Sequence, residues 1–348
     1  MFPKYLHISN ICSTFAPDFF KQMIQDADFW YTFLRPTVDW YFRHSYRRCT
    51  YEGMENIPSD GAIIYAPNHT NGLMDALAVL AIDRQPKVFV ARADIFKKPK
   101  IARILNWLKI MPINRVRDGL DQVRKNDETM DRAVEVLHAG VPFCILPEGR
   151  HRRKHALLPL QKGIFHTALR AIEGEDNDRP LYIVPIGLDY SDWYHYWGEL
   201  TVKIGKPIDV RAFASSRVDM SEPQLINAMR EELSTKMQGL FPCVADDEEY
   251  EENWKNLNSR LGIRDERLGI KILRWVLLVL LSPLAIVCGV VTMPLWLVPQ
   301  IMKTKVQDPT FQIAILFVWS WIKMLLTLFL LLPFWLFICE YLYQCRKI

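Results

Sequence analysis

The chain has 348 residues, half of them apolar and about a quarter charged, with a formal net charge of +4. That length holds one sizeable globular domain with accessory segments, and so slight a positive balance is no argument for a nucleic-acid partner. The seven cysteines (Cys12, Cys49, Cys144, Cys243, Cys288, Cys339 and Cys345) form no CxxC pair and no Cys/His metal spacing, which disfavours a disulfide scaffold or a zinc site and fits free thiols in a reducing compartment.

Residues 1–45 are rich in aromatics, among them Phe29, Trp30, Phe33, Trp40 and Phe42, interleaved with Arg35 and Arg43. Either a helix packed on the main domain or an interfacial helix fits this mixture, since Trp, Tyr and Arg suit the headgroup zone. Pro36 is expected to interrupt any continuous helix. The N-terminal stretch lacks the apolar run and cleavage site of a secretory signal, so the main domain is expected on the cytoplasmic side.

Residues 46–243 read as α/β. Short apolar runs recur at 62–66, 87–91, 143–146, 182–185 and 200–204. Between them lie helical patterns, the clearest placing Leu120, Val123, Met130, Ala133, Val134 and Leu137 on one face and ending at Gly140. Such alternation implies a mainly parallel sheet flanked by helices.

Residues 244–271 form a charged connector, whose acidic run 246–252 is expected to be a solvated loop or face without chemistry. Residues 272–348 are membrane material. Residues 275–302 carry no charged side chain, and 313–338 carry only Lys323. Each run is long enough to cross a hydrocarbon core of about 30 Å. A two-span transmembrane helical hairpin is the expectation, with an in-plane helical pair as the other arrangement. Arg260, Arg264, Arg267, Lys271 and Arg274 before the first run, and Arg346 and Lys347 after the second, place both flanks in the cytoplasm.

Four short blocks carry chemistry. Asn68-His69-Thr70-Asn71-Gly72-Leu73-Met74-Asp75 follows a strand-like run and opens a helix, the place where α/β folds put ligand sites. A histidine there can take a proton from a hydroxyl, and an aspartate a turn later can hold its tautomer and stabilise the imidazolium. By themselves the two residues are also compatible with a structural pair. Pro112-Ile113-Asn114-Arg115 ends an apolar turn in a guanidinium suited to an anion. Leu146-Pro147-Glu148-Gly149-Arg150-His151-Arg152-Arg153-Lys154-His155, running on to Gly163, joins one acid to a dense basic cluster. A phosphate or anionic-lipid site fits that cluster better than nucleic acid, which the apolar C-terminal runs disfavour. Val184-Pro185-Ile186-Gly187 reads as a buried strand end.

In order and spacing, these four blocks resemble the four motifs of the glycerolipid acyltransferases, which include lysophosphatidate and glycerol-3-phosphate acyltransferases. The resemblance covers about residues 50 to 210. It implies that His69 is the general base and Asp75 its partner. Arg115, Glu148 and Gly149 would be acceptor-site residues, with Arg150 or Arg152 supplying an anion contact. It further implies acyl-CoA or acyl-carrier protein as cosubstrate, a glycerolipid acceptor in a membrane, no further cofactor, no metal and no nucleic acid. The best acceptor is 1-acyl-glycerol-3-phosphate, with glycerol-3-phosphate or another lysolipid as competitors. A non-catalytic membrane scaffold on the same fold is the reading from another class. Two departures stand out. Five residues separate His69 from Asp75 where most members have four, a spacing that resembles fungal glycerol-3-phosphate acyltransferases. The usual Glu-Gly-Thr-Arg-Ser is here Glu-Gly-Arg-His-Arg, which puts His151 in the arginine position.

Overall fold

The computed structural model describes residues 28–114, 126–173, 179–193 and 198–261, together with 297, 300–302, 312 and 314–326. The chain divides into two compact units, Met1–Lys255 and Asn256–Ile348.

The first unit is built on an eight-stranded sheet. Its strands are β1 (Arg48–Glu52), β2 (Ala62–Pro67), β3 (Val88–Arg92), β4 (Ile110–Ile113), β5 (Phe143–Cys144), β6 (Leu181–Tyr190), β7 (Glu199–Ile204) and β8 (Ile208–Asp209). The order is β1-β7-β6-β2-β5-β3-β4, with β8 paired to β6. β2 lies between β6 and β5 and is parallel to both. β3 and β4 extend the parallel part; β7 and β8 pair antiparallel with β6, and β1 runs parallel to β7. A mixed α/β fold with a mainly parallel sheet is therefore what the chain adopts.

The apolar runs form strands because both faces of the sheet are covered. Every residue of β2 is buried. Its Ala62, Ile64 and Ala66 join Phe143, Ile183 and Leu181 in the main core. There they meet Val136 and Leu137 of α4 (Asn126–His138), Phe165 and Ala168 of α5 (Gly163–Ile172) and Met229 and Leu233 of α7 (Glu222–Gln238). Gly140 ends α4 with φ at 77° and its N–H on Leu137 O, a left-handed backbone that glycine adopts without cost. α6 (Val210–Ser215) follows β8, and α8 (Tyr250–Leu261) begins within this unit. Asp209 caps α6 through the Ala212 N–H.

Two helices enclose the opposite side. α1 (Phe29–His44) docks on the end of α2 (Leu73–Leu80), where Arg35 donates to Leu80 O and Asp83 O and Arg43 donates to Ala81 O. These cations sit where the helix dipole is negative. Contrary to expectation, α1 runs through Pro36. The missing amide orphans only the Thr32 carbonyl, and both residues are exposed, so solvent can satisfy it. α3 (Pro99–Trp107) begins on Pro99 and leads into β4.

The expected membrane hairpin falls mainly on residues outside those described. Among the described residues no helix is long and apolar enough to cross a membrane, so the hairpin is not part of the fold established by this structure. Arg115 and the start of the predicted helix at Leu120 and Val123 also lie outside the described residues.

Candidate active site

β2 ends at Pro67, and the chain turns through Asn68 to Gly72 before α2 begins. Gly72 has φ 58° and ψ −118°, a conformation closed to residues bearing a Cβ. It accommodates the five-residue interval within a tight loop, closed by Met74 N–H on Asn71 O at 3.1 Å. Asp75 thus arrives in the first turn of α2, fully buried, facing back towards His69.

Asp75 Oδ2 accepts two hydrogen bonds, from His69 Nδ1 at 2.8 Å and from Asn71 N at 2.7 Å. The first fixes the imidazole with its proton on Nδ1 and leaves Nε2 as the basic nitrogen. The second locks the carboxylate so that it cannot swing away. The His69 side chain retains 17% exposure, enough for a substrate to reach it.

The loop is held from both sides. Asn68, buried, forms a two-way amide clamp on the neighbouring strand: its Nδ2 donates to Leu188 O at 3.0 Å and its Oδ1 accepts from Leu188 N at 2.6 Å. On the β5 side, Glu148 Oε1 accepts the His69 N–H at 2.7 Å and Oε2 accepts the Leu158 N–H at 3.0 Å. Arg152 N–H donates to His69 O at 3.1 Å. Both backbone polar groups of His69 are therefore tied to the loop after β5. Burial pushes the Glu148 carboxyl up to about 7, against the opposing pull of the two backbone N–H groups. Gly149 follows with φ 67°, and a Cβ there would press within 3.0 Å of Gln161 Cγ.

The remaining site residues are placed as follows. Arg150 is exposed at the turn. Arg152 pairs through Nη1 with Asp246 of the connector. His151 stands edge-on to His69, ring centroids 5.4 Å apart. The fourth block lies on β6, where Gly187 packs so closely on Leu240 that a Cβ would come within 2.5 Å of it. Ile113 and Asn114 reach the end of β4, one residue short of Arg115. Among the described residues, no group of three His, Cys, Asp or Glu side chains is placed to hold a metal ion.

The geometry is that of a histidine held by a buried acid at the C-terminal end of parallel strands, with a basic loop beside it. Residues 48–189, which contain this whole arrangement, match the family model described as Acyltransferase. That stretch is an acyltransferase-family domain. The chain is also 29% identical, over 120 residues, to the chloroplastic 1-acyl-sn-glycerol-3-phosphate acyltransferase LPAT1 of Arabidopsis thaliana. That match takes in 34% of this chain and spans about a third (32%) of the relative's length. Among solved structures, the 1-acyl-sn-glycerophosphate (LPA) acyltransferase PlsC of Thermotoga maritima aligns with a TM-score of 0.43 at 19% identity, over 74% of this chain and 88% of that one.

Within the acyltransferase domain, His155 supports the loop from behind. It stacks on Trp254 at 3.8 Å and tilts against Trp193, with Asp189 Oδ1 3.6 Å from its Nδ1. Burial pushes this imidazole down to about 4. The folded chain keeps it neutral, whereas the unfolded chain takes up a proton below about 6.5. Its contribution to stability is complete above that pH and is lost as pH falls towards 4. Denaturant unfolding at pH 7 and pH 4.5 is expected to show a smaller acid loss in His155→Phe, which keeps the stack but cannot titrate. An equal loss in both proteins would contradict this.

Proposed function

We propose that the chain transfers a fatty acyl group from acyl-CoA or acyl-carrier protein to the free hydroxyl of 1-acyl-glycerol-3-phosphate, giving phosphatidate. The observation that carries this reading is the His69–Asp75 pair, held by the Glu148 loop inside an acyltransferase-family domain. His69 Nε2 removes the hydroxyl proton as the oxygen attacks the thioester carbonyl. The tetrahedral intermediate collapses with loss of the thiolate, which takes the proton back from the imidazolium. Asp75 holds the tautomer and balances the transient positive charge. Arg115, Arg150, Arg152 and the backbone at Gly149 would form the acceptor side, while the Glu148 carboxylate holds the N–H groups of His69 and Leu158. Glycerol-3-phosphate remains the second acceptor, favoured by the five-residue interval between His69 and Asp75.

The substrates are amphiphilic, and the chain offers means of membrane attachment. Phe29, Trp30, Phe33 and Trp40 project from α1 with half or more of their surface exposed, and residues 275–302 and 313–338 are long enough to span. We place the domain on the cytoplasmic face of that membrane. The test is a panel of acceptors with purified protein, comparing acyl-CoA with acyl-carrier protein. Acylation of 1-acyl-glycerol-3-phosphate is expected to exceed that of phosphate-free lysolipids. Activity confined to acceptors lacking phosphate would overturn the choice of substrate.

A further inference from the structure

The start of the acidic connector is anchored on the basic loop of the site at its buried ends, Val244 and Tyr250, while residues 245–249 between them stay exposed. Val244 N–H donates to His155 O at 2.7 Å, and His155 N–H donates to the Tyr250 hydroxyl at 2.9 Å. The Lys154 ammonium sits 4.4 Å from the centre of the Tyr250 ring. Between these anchors, Asp246 accepts from Arg152 Nη1 and, at 3.0 Å, from Lys154 Nζ. Arg152 is the residue whose own N–H holds the His69 carbonyl.

Arg152 is only half used by this pairing. Its Nε and Nη2 are buried and have no hydrogen-bond partner among the described residues. Those two N–H groups form the edge with which a guanidinium grips an oxyanion bidentately. Asp246 thus sits on a cation pair in the loop that holds the His69 backbone, while the Nε–Nη2 edge of Arg152 stays buried and unbonded.

We propose that Asp246 is a resident monoanion on Arg152 and Lys154 that the acceptor's phosphate must displace, so that it lowers the site's affinity for every anionic headgroup and leaves a net gain only to the more highly charged phosphomonoester. This rests on the acyl-transfer reading. Exchanging one monoanion for another returns about what it removes. A phosphomonoester carries roughly −1.5 to −2 charges near neutral pH and three terminal oxygens, enough to hold both cations and the open edge together. A phosphodiester has one charge and two free oxygens, so it gains nothing over the carboxylate already present.

The test uses the full chain with 1-acyl-glycerol-3-phosphate and with the corresponding lysophosphatidylglycerol, a monoanionic phosphodiester. Wild type is expected to favour the monoester in kcat/KM. Asp246→Asn should lower KM for both acceptors by about tenfold with kcat unchanged, because displacing the carboxylate is a cost common to both. Asp246→Glu should keep the wild-type KM values, and Asp246→Ser serves as a second neutral variant if the asparagine form does not fold. Unchanged KM values in a folded neutral variant, or a raised KM for either acceptor, overturn the proposal. Binding of inorganic phosphate gives an arm independent of turnover: it should tighten in Asp246→Asn and weaken in Arg152→Met. If phosphate binding responds this way but no acceptor is acylated, the acyl-transfer reading fails and the Asp246 site stands. If acceptors are acylated and phosphate binding ignores Asp246, the reverse holds.

Discussion

His69→Ala is expected to lower turnover of the best acceptor by about 10²–10⁴-fold, the range that a positioned general base contributes. The expectation follows from geometry. Nδ1 is committed to Asp75 at 2.8 Å, so Nε2 is the nitrogen available to an incoming hydroxyl. Alanine leaves the backbone clamps of Glu148 and Arg152 intact, because both act on main-chain atoms of residue 69. The variant should therefore fold and bind substrates, with the loss falling on kcat. Asp75→Asn is a sharper probe. Oδ2 accepts from two N–H groups at once, and the carboxylate is fully buried. An amide oxygen in the same place accepts both bonds but brings no charge to offset the imidazolium; an amide nitrogen there forces the wrong tautomer. A fall approaching ~10⁴-fold is expected, as for the aspartate of a Ser-His-Asp triad. Steady-state kinetics with labelled acyl donor, alongside thermal unfolding, checks both variants. Unchanged turnover in His69→Ala would rule out the base mechanism and favour the non-catalytic scaffold.

The parts of the fold legible in the chain were those whose signal is local. β2 is a continuous apolar run buried on both faces, and the turn after it carries its polar residues in order, so strand, loop and helix start could all be placed. β1, with the sequence Arg-Cys-Thr-Tyr-Glu, shows no apolar pattern because it lies at an edge of the sheet and is only partly buried. β4 reads as a turn because Pro112 stands in it. At the other edge of the sheet a proline is tolerated, since one side of the strand has no neighbour to bond. β8 has two residues and no periodicity to detect.

The site divides the same way. His69 and Asp75 lie six positions apart and meet through a short loop, and their types alone state a chemistry. The groups that hold them in place are distant in sequence. Asn68 clamps Leu188, 120 positions away, and Glu148 reaches His69 across 79. Asp246 meets Arg152 across 94, from an acidic run whose composition reads as plain solvation. No periodicity or motif encodes such pairings; they exist only once β2 lies between β5 and β6.

That dependence makes Glu148 the second decisive position. A carboxylate has two oxygens, and here each accepts one backbone N–H, from His69 and from Leu158. Glu148→Gln keeps the shape but offers one acceptor and turns an NH₂ towards the other donor. One buried N–H is then unpaired, at a cost of about 1–3 kcal/mol. If His69 loses the bond, the base shifts, and a displacement of about 1 Å can cost ~10²-fold in rate. We expect kcat to fall by about that factor while KM for the acceptor changes little. An acceptor-binding role for Glu148 predicts the opposite split, a raised acceptor KM with kcat preserved, and that outcome would displace the clamp. Combining Glu148→Gln with His69→Ala distinguishes them further. A clamp acts only through the imidazole it positions, so the double variant should be barely slower than His69→Ala alone. A substrate contact would add its own loss. Burial that lifts the Glu148 carboxyl to about 7 points the same way. A proton on one oxygen turns an acceptor into a donor, so acidification below that pH should loosen the loop much as glutamine does.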